Sequence, residues 1–155
     1  MSSRLRSLVA FYDAFHQALQ READPQAQKL CASWASVKPQ YVGSSSAGTP
    51  SQLAAGLEQG LRELPMLFKP MSARCRAAAS QALASALHEH LPSFAAKQDE
   101  RLAKLVARGS IRSEREFYLV RHAIEIAESD MQPPPVLSAL YSLVERYESR
   151  SRRVA

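Results

Sequence analysis

Four histidines and two cysteines are the side chains of this chain best suited to metal or nucleophilic chemistry, and their spacing argues against both. His88 and His90 lie two apart, so on a helix they diverge, whereas joint metal ligation needs the i,i+4 spacing of H-E-x-x-H. "HEH" at the end of a helical run has a simpler use, because an imidazolium there interacts well with the helix dipole. Cys31 and Cys75 belong to no C-x-x-C pair, and a structural zinc site needs four ligands at closer spacing. They read as small apolar core residues in a reducing compartment, with a disulfide between them as the sharper alternative. No G-x-S-x-G elbow, Walker loop, G-x-G-x-x-G or E-x-x-H motif occurs, and Ser44 to Ser46 is low-complexity sequence. The sequence therefore names no catalytic, cofactor-binding or metal residue. An enzyme or small-ligand binder with a pocket between helices is kept as a third functional reading.

Charge at helical spacing carries more. Lys97, Arg101, Lys104 and Arg108 follow a 4-3-4 spacing, which at about 100° per residue makes one narrow basic stripe. Arg112 and Arg115 extend it past a turn. Tyr118, Arg121, His122 and Glu125 then project from the side opposite Phe117 and Ile124. Arg and Tyr are enriched at interface hot spots, so Arg112, Arg115, Tyr118, Arg121 and His122 form the candidate partner-binding set. Asp99, Glu100, Glu114 and Glu116 interleave with these cations, so a solvated face with intrahelical pairs is the competing account. The leading expectation is a non-enzymatic module that binds another protein through the hairpin around residues 97–125, as an adaptor, regulator, chaperone-like factor or toxin-neutralising partner. The alternative is nucleic-acid binding through Lys97, Arg101, Lys104 and Arg108, helped by Arg146, Arg150, Arg152 and Arg153.

"VARGSIRSEREFYLVRHAIEI", residues 106–126, is similar to the helix–link–helix of ribbon-helix-helix antitoxins, in which a Gly-containing link precedes a capped, apolar second helix. Members of that family read DNA with a short strand before the first helix. The preceding "LASALHEHLPSF" is a helical pattern with a proline break, so no DNA-contact residue is carried over.

The elements that must position these side chains are all helical. Leu5, Leu8, Tyr12, Phe15 and Leu19 recur at three-four spacing from about Ser3 to Glu22. Asp24-Pro25 starts a second helix, with Leu30, Trp34 and Val37 facing inward, which stops before Pro39. Lys38 to Thr49 reads as a flexible Gly/Ser loop. Thr49, Pro50 and Gln52 make a capping box for a helix that buries Leu53, Leu57, Leu61 and Leu64. Gly56 and Gly60 lie beside that stripe, where a neighbouring helix can approach closely. Pro65 and Pro70 bracket a short connector, and a helix over Ser72–His90 carries a seam of small residues. After Pro92 a further helix runs to Gly109, a left-handed C-cap. Ser113 and Glu116 box the start of the next, and Pro133–Pro135 stiffen the link to the last. There Leu137, Leu140, Tyr141, Val144 and Tyr147 face inward, and the basic tail frays from about 149. No period-two segment occurs.

The expected fold is thus all-α, a single-domain bundle of six to seven helices with no sheet. At 155 residues the chain is long enough to bury a core without staples. No apolar run approaches ~18 residues, so no membrane span is expected, and Asp13 and His16 interrupt any secretory h-region. The reading is of a cytoplasmic protein. Small size and an Ala/Arg-rich composition point to a bacterial source. The net charge of +5 permits anionic partners without demanding them.

Overall fold

The computed structural model describes residues 2–43 and 48–154. Among them helix is the only regular structure, with seven helices of 13 residues or more and no strand. The chain is all-α as the periodicity predicts. Its packing divides into two compact units, residues 1–92 and 93–155. No helix among the described residues is long and apolar enough to cross a membrane.

The first unit holds α1 (Ser3–Leu19), α2 (Pro25–Val37), α3 (Pro39–Val42), α4 (Pro50–Glu63), a 3₁₀ turn (Leu64–Phe68) and α5 (Ala73–His90). The predicted start signals operate as hydrogen bonds. Asp24 accepts the Gln26 amide at 2.9 Å, and Thr49 and Gln52 exchange bonds as a capping box, while Ser72, expected inside its helix, instead caps it by accepting the Cys75 amide at 3.2 Å. Each satisfies amides that the first helical turn leaves orphaned.

α1 is the centre of this unit, packing against α2, α4 and α5. Phe11 and Phe15 are fully buried on it and stack with ring centroids 6.1 Å apart. Burying each ring stabilises the fold by about 1.5–3 kcal/mol. Tyr12 crosses to α4, where its hydroxyl donates to the Leu57 carbonyl at 2.6 Å. A Cβ at Gly60 would stand 2.9 Å from that hydroxyl, so this glycine makes room for the bond, whereas Gly56 faces open space. The expected close approach therefore belongs to Gly60 alone.

The second unit holds most of α6 (Pro92–Arg108), with α7 (Glu114–Glu128) and α8 (Val136–Val154). Leu105, Ile111, Val120, Ile124, Leu140 and Leu143 form its core, with Leu102, Val106, Phe117, Leu137 and Tyr147 packed around them. Ile111 comes from the link between α6 and α7, so the link is part of the core rather than an excursion from it.

Several expectations are corrected. Lys38 to Val42 is not irregular. Pro39 opens the short helix α3, since the first turn needs no amide from it. Within the rest of the expected loop, Ser44 to Ala47 lie outside the described residues. α8 continues to Val154, past the point where fraying was expected to begin, and Arg150 within it is bonded back to the link. Val37 and Tyr141, expected inside, are 37% and 45% exposed. For the cysteines the principal reading stands and the disulfide alternative falls: Cys31 and Cys75 are free thiols, Cys75 buried and Cys31 partly so, with Cys31 donating to the His16 carbonyl at 3.4 Å.

Candidate functional site

The stripe on α6 splits into two kinds of cation. Lys97, Arg101 and Lys104 are exposed, and none of them forms an ion pair or hydrogen bond with a described side chain, although Asp99 and Glu100 stand beside them. No intrahelical pair involves these three among the described residues. Arg108 is different. Its Nε and Nη2 donate to the Ser110 carbonyl at 3.1 and 2.7 Å, and Nη2 also meets Glu116 Oε1 at 2.6 Å. This fourth cation of the expected stripe is occupied in holding the turn.

The turn itself is built by three arginines. Gly109 ends α6 with φ +78°, a backbone conformation that glycine adopts without a Cβ penalty. Its carbonyl accepts from Arg146 Nη1 at 2.9 Å, and the Ile111 carbonyl accepts from Arg150 Nη2. With Arg108 on Ser110, three successive carbonyls each receive a guanidinium. Hydrogen bonds from a charged donor are the stronger kind, and together these three fix the path of the link.

Glu116 completes the arrangement from the other side. Its amide donates to Ser113 Oγ at 3.1 Å, as the capping motif predicts. Its carboxylate turns instead to the Arg112 amide, 2.7 Å away, and to Arg108. Burial pushes this carboxyl up, but the bonds and charge from Arg108 and Arg112 outweigh it and hold the group below the ordinary carboxylate range.

The five residues proposed for partner binding are not equivalent. Arg112 and Arg115 are exposed. Tyr118 is half-buried and meets Phe117 edge-on, with centroids 5.1 Å apart. Arg121 is also half-buried, its guanidinium 6.0 Å from the Phe117 centroid. His122 is no surface residue: it is 8% exposed, and its Nδ1 has no hydrogen-bond partner. Burial depresses its pKa to about 4, so the ring is neutral at pH 7. Helical periodicity placed it outward because it lies opposite Phe117 and Ile124. That inference assumes α7 buries one face only, and α7 has partly or fully buried residues around its whole circumference.

The other histidines have structural partners. The His16 Nδ1–H donates to the Tyr12 carbonyl at 2.7 Å, and the ring stacks on Trp34 at 5.8 Å. Burial lowers its pKa, against the opposing pull of the Tyr12 carbonyl and Asp13. His88 bonds the Ala84 carbonyl at 2.8 Å, and His90 lies 3.8 Å from Glu89. No three His, Cys, Asp or Glu side chains among the described residues converge as metal ligands.

Sequence reasoning missed one feature. The basic tail was read as fraying charge that assists nucleic-acid binding, without a face of its own, yet Arg146, Arg150 and Arg153 share a face of α8 by their i, i+4, i+7 spacing. They line one side of an open groove of ≈ 580 Å³, with Gly109, Ser110 and Ile111 on the other. The signal was present in that spacing. The position of the link beside it was not.

The chain was also compared with known protein families, with characterised proteins and with solved structures, and none of the three gave a match.

Proposed function

We propose that residues 93–155 bind nucleic acid through its phosphate backbone, with Lys97, Arg101 and Lys104 as the contacts. The observation that carries this reading is the alignment of three exposed cations on one helix, none of them with an ion-pair or hydrogen-bond partner among the described side chains. They lie along one line about 10 Å long, by the ~1.5 Å rise per residue of a helix. Duplex DNA offers one charge per ~1.7 Å of axis, so such a line can engage several phosphates without reading any base.

A protein partner fits this face less well. Stable protein interfaces are depleted of charge at their centre and anchored by buried aromatic or aliphatic side chains. The exposed large apolar side chains among the described residues are Val37, Val42, Leu67, Met131, Val136 and Tyr141, and none of them lies in α6 or α7. With His122 inside, the set proposed for docking a protein also loses one member.

Fluorescence anisotropy with labelled duplex and single-stranded oligonucleotides at 50 and 200 mM salt tests the proposal. Three phosphate contacts predict a roughly 40-fold fall in affinity between those two concentrations. Absence of binding at 50 mM rejects it.

A further inference from the structure

Arg146, Arg150 and Arg153 line a groove that contains none of the α6 stripe residues. Two of the three are fixed in place, Arg146 by the Gly109 carbonyl and Arg150 by the Ile111 carbonyl. Arg150 is further steadied by the Tyr147 ring, whose centroid is 5.9 Å from its guanidinium. A guanidinium has five N–H donors, so a bond to one carbonyl leaves donors on each for a further acceptor. Arg153 forms no ion pair among the described residues. Ser149 accepts from Arg152 through its oxygen, which leaves its hydroxyl hydrogen available.

Glu145 is the one carboxylate in the lining, so three positive charges stand against one negative. That net charge of two matches a phosphate monoester, which carries about −1.5 to −2 near neutral pH and offers three strong acceptor oxygens. Arginine's planar fork suits such oxygens bidentately, and fixing the fork beforehand reduces the ordering lost on binding. The net positive charge of the lining attracts a dianion about twice as strongly as it does the single charge of a carboxylate or a phosphodiester. The groove volume lies within the range of ≈ 300–1,000 Å³ usual for small-molecule sites, so there is room for the body that bears the phosphate.

We infer that the groove between α8 and the Gly109–Ile111 link is a binding site for a phosphate monoester dianion. The inference does not rest on nucleic-acid binding by α6. A monoester can come from a small metabolite or from the terminal phosphate of a nucleic-acid strand, and the chemistry recognised is the same.

Isothermal titration of the full chain with inorganic phosphate tests the site. Saturable binding with Kd of roughly 1 mM or tighter is expected, weakened about tenfold or more in Arg153→Gln, which removes one charged donor pair. Phosphate binding should be unchanged in the α6 triple variant Lys97→Gln, Arg101→Gln, Lys104→Gln, so failure of the stripe and failure of the groove are distinguishable. Two further titrations compare an oligonucleotide bearing a 5′-phosphate with the same strand ending in a 5′-hydroxyl. A preference for the phosphorylated strand that is lost in Arg153→Gln assigns the source to strand ends. Equal binding of the two strands, with inorganic phosphate still bound, assigns it to small monoesters. No saturable phosphate binding, or binding of equal strength in Arg153→Gln, overturns the inference.

Discussion

Lys38 and Lys97 are the same side chain in opposite circumstances. In the first unit Lys38 pairs with Asp13 at 3.0 Å and Arg4 with Glu58 at 2.8 Å, while in the second Lys97, Arg101 and Lys104 pair with nothing described. The two buried histidines repeat the contrast. His16 bonds the Tyr12 carbonyl and stacks among aromatic rings, whereas His122 has an orphaned Nδ1. Polar groups that answer one another hold a fold together, and groups left over are where outside chemistry can act. Residues 1–92 also hold exposed cations without a described side-chain partner, Arg6, Arg21, Lys29, Lys69 and Arg74, but these are scattered over several elements, whereas on α6 three such cations fall on one line of a single helix.

The strongest way to break this comparison is to remove the unpaired cations. Lys97→Gln, Arg101→Gln, Lys104→Gln should weaken oligonucleotide binding on the order of 10³-fold at 50 mM salt, and lower the salt slope by about 2.7. Melting temperature should not fall, because no intramolecular bond is lost. Retained affinity, measured by anisotropy, would place the contact surface elsewhere. A fall in melting temperature would mean that these side chains have partners after all.

His122 gives the next largest effect, and its sign follows from the direction of the shift. Its folded pKa of about 4 lies below the unfolded value near 6.5, so the unfolded chain binds more protons between those limits. The stability of the neutral buried ring is complete above about pH 6.5 and is lost as pH falls toward 4. At ~1.4 kcal/mol per pKa unit the total reaches up to about 3 kcal/mol. His16 is shifted in the same direction and adds to the slope. His122→Leu removes the orphaned nitrogen, so urea midpoints at pH 7 and pH 4.5 should differ less in the variant than in the parent. An unchanged difference would mean that His122 stays neutral, or reaches solvent, across the whole range.

Gly109→Ala tests the link at a smaller scale. A Cβ at φ +78° costs about 1–2 kcal/mol, with no steric neighbour to add to it. Because Arg108, Arg146 and Arg150 hold the flanking carbonyls, the link should keep its conformation and the loss should appear as stability alone. A change in phosphate binding larger than the change in stability would show that the strained residue shapes the groove directly.

How much of this was readable in advance depended on the range of the interaction. Caps act within one turn, so Asp24, Thr49 and Ser113 could be identified from neighbours two or three residues away, and Gly109 from the end of a periodic run. The stripe on α6 was readable for the same reason, because helical spacing alone fixes which side chains line up. What failed needed partners distant in the chain. Arg108 was assigned to the stripe although Glu116, eight residues on, claims it. Arg150 was assigned to a frayed tail although the Ile111 carbonyl, 39 residues back, holds it. His122 failed because a period of 3.6 tells opposite faces apart but not how many of them are covered.

The comparison should also hold where the expected effect is smallest. Lys38→Gln removes one member of an ion pair whose side chains are 39% and 41% exposed, and such pairs contribute about 0–1 kcal/mol. Asp13 keeps its second bond, accepting from Trp34 Nε1 at 2.8 Å, so its carboxylate is not left bare. The variant should therefore lose less than 1 kcal/mol in urea unfolding. It also removes the same unit of charge as Lys97→Gln. If attraction to nucleic acid came only from the net charge of +5, the two single variants would weaken anisotropy-detected binding alike. If the contacts are local, Lys97→Gln loses affinity and lowers the salt slope by about 0.9, while Lys38→Gln leaves both unchanged. Two substitutions of identical charge thus separate a general field from a site, and equal losses would dissolve the distinction between the two regions.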